Sequence, residues 1–191
     1  MPRQITWSLH TETGNNNTSF STATITPALN FLGNYWDINF VYVPNNGRIK
    51  YILARSPNPI WAAWTRGFEC RINAAYNFNV GAVRVLFCAQ IAIHEFGHMA
   101  GGSSHSSVPG LMSTNANVQN GNLSASDYRW FDGYPRKPGS KRPHEEPNRL
   151  RNTFYTPAVA GIEEATPEAE FGCHVMKRPW YDIRPDSWMK P

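Results

Sequence analysis

Two histidines four residues apart, His94 and His98, with Glu95 directly after the first, put metal-binding and proton-transfer groups on one turn of chain. In an α-helix, positions i and i+4 lie on the same face, so both imidazoles can reach one tetrahedral cation. Glu95 then stands beside the open coordination position, where a carboxylate can act as general base toward a bound water. The chain continues through Gly101-Gly102-Ser103-Ser104-His105 and reaches Met112 seven residues later. A glycine pair suited to ending a helix thus delivers a third imidazole. Three imidazoles and an open position form the ligand set of a catalytic zinc site.

An isolated His-Glu-x-x-His arises by chance in roughly one chain in 200 of this length, given average composition. Context must therefore decide. On a surface helix the two histidines would simply be solvated. Val83 to Ile93, however, is apolar nearly all round, the pattern of a helix buried in a core. Histidines continuing such a helix need a ligand or a hydrogen-bond partner, because unsatisfied polar groups are costly to bury.

From His94 to Met112 the chain resembles the metzincin zinc endopeptidases, and within them the matrixins. Their pattern is His-Glu-x-x-His-x-x-Gly-x-x-His with a later methionine turn. This chain has one residue too many before its third histidine. Gly101 holds the pattern's glycine position, yet the residue three further on is Ser104; aligning on Gly102 restores the spacing to His105 and inserts one residue after His98. Either glycine can take the left-handed conformation that ends a helix. The stretch from His105 to Met112 is in turn one residue shorter than in matrixins.

The resemblance implies that His94, His98 and His105 hold one catalytic Zn²⁺, that Glu95 is the catalytic base and that Met112 is the Met-turn residue beneath the metal. It implies an α+β, zincin-like domain: a twisted mixed sheet, an active-site helix and a C-terminal helix. The implied activity is hydrolysis of peptide bonds in a peptide or protein substrate. Such a substrate would lie antiparallel to an edge strand, expected at residues 70–78, with a specificity pocket around 113–118. A carboxylate such as Asp127 is an alternative third ligand, as in gluzincins, but His105 is better placed after the glycine pair. The alternative function is a zinc-binding module without turnover, in which Glu95 would have no use. The matrixin inhibitory cysteine segment, a His-x-Asp cluster for a second zinc and a calcium site have no counterpart in the sequence.

The elements that must position these groups can be read along the chain. Ile5 to His10 alternates as a strand, with His10 as a strand-end surface residue. Thr26-Pro27 reads as N-cap and first residue of a helix running to Trp36. Asp37–Val43 and Arg48–Ala54 read as strands joined by the turn Pro44-Asn45-Asn46-Gly47. Pro57-Asn58-Pro59 starts a loop carrying Trp61 and Trp64, and Leu123–Phe131 reads as a serine-capped helix ended by Gly133. Residues 1–134 are therefore expected to form the catalytic domain.

Residues 135–191 form a C-terminal extension of different character. Nine of the fifteen prolines fall there, which suits a linker or tail. Phe154, Tyr155, Phe171, Trp180, Tyr181 and Trp188 are too many aromatics for a purely solvated one, so it is expected to wrap the catalytic domain or dock a partner. Thr166-Pro167 is the candidate start of a short helix within it. Arg136, Lys137, Lys141 and Arg142 read as a solvated linker.

With 41% hydrophobic residues in 191, the chain can bury one real core. No run of about 18 apolar residues exists to span a membrane. The net charge of +4 comes from dispersed arginines, so nucleic-acid binding is not expected. Residues 1–7 lack the apolar stretch of a secretory signal; the expected location is nonetheless extracellular, through a mature N-terminus, another export route or a viral or phage origin. Of three cysteines, Cys88 reads as a small core residue, a Cys70–Cys88 bridge is left open, and Cys173 lies in the extension.

Overall fold

The computed structural model describes residues 1–12, 20–54, 62–73, 84–101, 104–107, 110–113, 125–145, 149–154 and 173–175. Its architecture is α+β. The strands β1 (Arg3–Thr11), β2 (Ile38–Tyr42), β3 (Ile49–Ala54), β4 (Ala63–Arg66), β5 (Glu69–Asn73) and β6 (Cys173–Val175) form one mixed sheet in the order β2-β1-β3-β5-β4-β6. β1, β2, β3 and β5 run parallel to one another, whereas β4 is antiparallel to β5 and parallel to β6. Two helices, α1 (Thr22–Leu32) and α2 (Arg84–Gly101), pack against each other, with α1 also meeting β2 and α2 meeting β4 and β5.

The core between these layers is rich in aromatic rings. Phe40 of β2 meets Phe96 of α2 edge to face at 5.1 Å, and Trp36 meets Phe131 at 4.9 Å. Burying a side chain such as Phe96 stabilises by about 1.5–3 kcal/mol, so the Phe40–Phe96 contact helps to hold α2 on the sheet. The Tyr51 hydroxyl of β3 donates to the Ala92 carbonyl at 2.8 Å and fixes the helix along its axis.

Three expectations are corrected. First, α1 begins at Thr22 after Ser21 and carries Pro27 in its interior, ending at Leu32. Proline removes one helical hydrogen bond, but the buried stripe Thr24, Ile25, Ala28, Leu29, Phe31 and Leu32 needs the earlier turn to bury Ile25. Second, Trp64 belongs to strand β4, joined to β5 by Gly67-Phe68. Gly67 has φ +58°, the conformation a tight two-residue hairpin requires at its first position. Third, the strand starting near Cys70 is no edge: β5 lies between β3 and β4, so β4 is the strand that faces outward from it. Residues 55–61 and 74–78 lie outside the described residues.

The C-terminal region adds to this frame. Asp37 N–H donates to the Pro135 carbonyl at 2.8 Å, Lys137 N–H to the Tyr35 carbonyl at 2.9 Å, and Trp36 and Arg136 form a β-bridge. Arg136 lies over the Trp36 ring at 5.0 Å, while Lys137 reaches the Gly33 carbonyl at 3.3 Å. Two of the four basic residues read as a linker thus brace the end of α1. A 3₁₀ turn at Ala125–Trp130 takes the place of the expected helix, and a second covers Pro143–Glu145. Leu150 on α3 (Arg149–Phe154) is buried in the core. The Thr166-Pro167 helix start and Tyr155, Phe171, Trp180, Tyr181 and Trp188 lie outside the described residues, as does the side chain of Phe154. No helix among the described residues is long and apolar enough to cross a membrane.

Gly101 is the last residue of α2, where a Cβ would collide with the Trp130 backbone. Its φ is not positive, so its use is close approach and not the left-handed turn; Gly102 lies outside the described residues. Helix propensity alone would make Gly101→Ala stabilising by up to ~1 kcal/mol. We expect the reverse, a loss of about 1–3 kcal/mol from overpacking, measured as a lower denaturant midpoint. A raised midpoint would contradict the packing described.

Candidate metal centre

From Cys88 to His98 every residue of α2 is buried. The apolar positions are dictated by the core. His94, Glu95 and His98 are the polar groups dragged in with them, at 0%, 0% and 6% exposure. Each must find a partner in place of water.

His94 donates its Nδ1 proton to the Leu111 carbonyl at 2.6 Å. That bond leaves the Nε2 lone pair directed away from the carbonyl, the second-shell arrangement that orients a metal-ligating imidazole. His98 Nε2 lies 2.9 Å from His94 Nε2. His105 completes the group: its ring centroid is 5.2 Å from that of His94 and 4.7 Å from that of His98. One ligand atom from each of the three lies within 4.8 Å of the others, and this is the one such cluster found among the described residues. Three histidines could therefore hold a metal ion. Burial pushes the His94 imidazole well below its ordinary pKa, with the neighbouring His98 adding to the effect, so the ring is neutral and fit to be a ligand.

The third histidine is placed by backbone contacts that no motif announces. Arg129 Nη2 donates to the His105 carbonyl at 3.2 Å, and Trp130 Nε1 donates to the Ser104 carbonyl at 3.1 Å. Arg129 also stacks on the Trp130 ring at 3.9 Å. Ser106 N–H donates to the Met112 carbonyl at 2.8 Å, and Ser106 bridges to Ser113. The chain after α2 is thus folded back on itself, with Ser104 exposed and His105 facing the other two rings. Met112 is fully buried, its sulfur set against Gly97, where a Cβ would strike it.

Glu95 points to the sheet: the Thr65 hydroxyl on β4 donates to its Oε2. Sequence reasoning missed Thr65, because nothing near residue 65 marks it as a strand position facing α2. Cys70 is buried nearby, its thiol pushed well above the ordinary pKa by burial and then by Glu95. Cys70 and Cys88 are not bridged to each other, so the bridge left open in the sequence is not formed. His10 lies outside the cluster, beside Ser8 Oγ at 2.9 Å. The Asp127 side chain and residues 114–118 of the expected specificity pocket lie outside the described residues.

A scan against protein-family models found no match, and a search of curated proteins found none. The chemistry of the site must therefore be argued from its own residues.

Two outcomes are expected. His105→Ala should weaken metal binding sharply while Ser104→Ala leaves it nearly intact, as read by metal content after dialysis. Equal losses would mean that His105 is not a ligand. In chelator-stripped protein, the unfolded chain protonates His94 near 6.5 and the folded chain only well below that. Stability should therefore be full above about pH 6.5 and fall as the pH drops below it, at up to roughly 1.4 kcal/mol per pH unit for this one group. Urea midpoints flat from pH 7 to pH 5 would contradict the buried, neutral His94.

Proposed function

We propose that this chain is a zinc-dependent endopeptidase of the metzincin type, similar to the matrixins, with a peptide or protein as substrate. One observation carries the reading: Glu95 follows a cluster ligand on the same buried helix turn and is held by a hydroxyl from the sheet. A site that merely bound metal for structure would have no need of an adjacent, oriented carboxylate. The mixed sheet with α2 packed beneath β4 and β5 is compatible with that class of fold.

The donor set fits zinc. Three neutral imidazoles at one point suit a borderline-soft divalent ion and leave a fourth position open. A zinc ion held by His94, His98 and His105 would polarise a scissile carbonyl and lower the pKa of a water there to about 7. Glu95 accepts the proton of the attacking water and delivers it to the leaving amine. Thr65 acts as a positioning residue, fixing one carboxylate oxygen and so orienting the group for proton transfer. Met112 supports the cluster from below without touching substrate. With β5 internal, the substrate strand of this reading is β4 in place of residues 70–78, on the side where β6 now pairs; main-chain pairing there would supply much of the affinity.

Purified protein should contain close to one equivalent of zinc and cut a mixed peptide library, with cutting abolished by chelator. Glu95→Gln should keep the metal while hydrolysis falls at least ~10²-fold, the usual scale for a lost general base. Unchanged turnover in that variant would end the mechanism. Thr65→Val should lower kcat roughly tenfold with little change in KM, for one lost hydrogen bond to a charged group. Thr65→Ser should restore it; a Ser variant as slow as Val would deny the hydroxyl its role.

A further inference from the structure

β4 has two edges. β5 takes one, in the antiparallel sense, over Ala63–Arg66. The other is the edge to which an extended peptide could add as a strand. In this chain it is filled by β6: Ala63 pairs with Cys173, Trp64 with His174 and Thr65 with Val175, in the parallel sense. Thr65 is the residue whose hydroxyl holds Glu95. The chain's own C-terminal segment therefore lies one strand spacing, about 4.8 Å, from the residue that positions the proposed base.

We infer that segment 173–175 is an internal competitor for the peptide-binding edge of β4, restraining access to the metal centre until it is displaced. This rests on the peptidase reading above. Two strands cannot occupy one edge, so β6 and a substrate exclude each other. The parallel sense also matters: a substrate running antiparallel to β4 would travel opposite to β6, so the segment fills the edge without mimicking a productive chain. A three-residue ladder is short and its hydrogen bonds are individually weak, which makes it displaceable. Its hold comes from the covalent tether, which keeps an attached segment at an effective concentration on the order of millimolar. The tether is itself anchored upstream, by the contacts of residues 135–140 with the end of α1 and by buried Leu150.

The test uses the full chain with His174 and Val175 both changed to proline. Successive strand N–H groups point to opposite sides, so one of the two changes must remove a donor that faces β4. The probes are a fluorescein-labelled peptide copying residues 171–178, under reductant, and casein as substrate. The labelled peptide should bind the double variant at least ~10-fold more tightly than the wild type, and casein cleavage at low substrate should rise at least ~5-fold. Equal peptide affinity in a variant with unchanged circular dichroism and metal content would overturn the proposal. Tighter peptide binding with unchanged cleavage by an active wild type would also overturn it, since the edge would not be the substrate's. If neither protein cuts casein while the peptide discriminates between them, the peptidase reading falls and edge occupation stands. Should the double variant not fold, hydrogen exchange on the wild type decides: the outward-facing amides of Ala63–Thr65 must be protected, and rapid exchange there would refute occupation.

Discussion

Desolvation of α2 is the constraint on which the arrangement of the site depends. The helix is apolar because it fills the space between α1 and the sheet, and its burial takes His94, Glu95 and His98 out of water with it. An unpartnered buried polar group costs several kcal/mol, so the surrounding chain has to supply partners at fixed places. The Leu111 carbonyl meets His94, and the Thr65 hydroxyl meets Glu95. The loop after the helix and the strand at its other side are thereby placed by His94 and Glu95. Metal affinity and fold stability are for this reason coupled: the groups that would bind a cation are also the ones the fold most needs to satisfy.

The third histidine is held in place by backbone hydrogen bonding. Gly101 lets the 125–130 turn come into contact with the helix end, and that turn then holds the carbonyls of Ser104 and His105 through Trp130 and Arg129. Gly97 does the same for Met112 on the helix face between the two helical histidines. Two missing Cβ atoms thus set two close approaches. The backbone around His105 is thereby caught from behind.

The region after Tyr134 is built into this frame at several points. It braces the α1–β2 junction through Trp36 and Arg136, contributes Leu150 to the core and supplies β6 to the sheet. A proline-rich composition argues against long helices and central strands, but it permits short pieces that dock on surfaces formed elsewhere. The basic residues 136 and 137 show how this changes a reading: they carry charge suited to a solvated linker, yet stack on an aromatic ring and cap a helix carbonyl.

The helix of the metal centre was legible because its signals are local. Spacing of four and an apolar approach leading up to Ile93 both act within one element. The strands β1, β2 and β3 were legible for the same reason, through alternation and the turn at Pro44–Gly47. What the sequence did not disclose was set by partners far along the chain. Pro27 reads as a helix start until the burial of Ile25 requires one more turn before it. Residues 63–66 read as loop, since four positions carry too little pattern, and their strand character comes from pairing with β5 and β6. Thr65 gains its place beside Glu95 from that pairing. Residue types and short spacing therefore determined which groups could bind a cation and move a proton. The tertiary structure decided which hydroxyl, carbonyl and strand edge meet them, because sheet order and long-range hydrogen bonds are fixed by packing and not by neighbours in sequence.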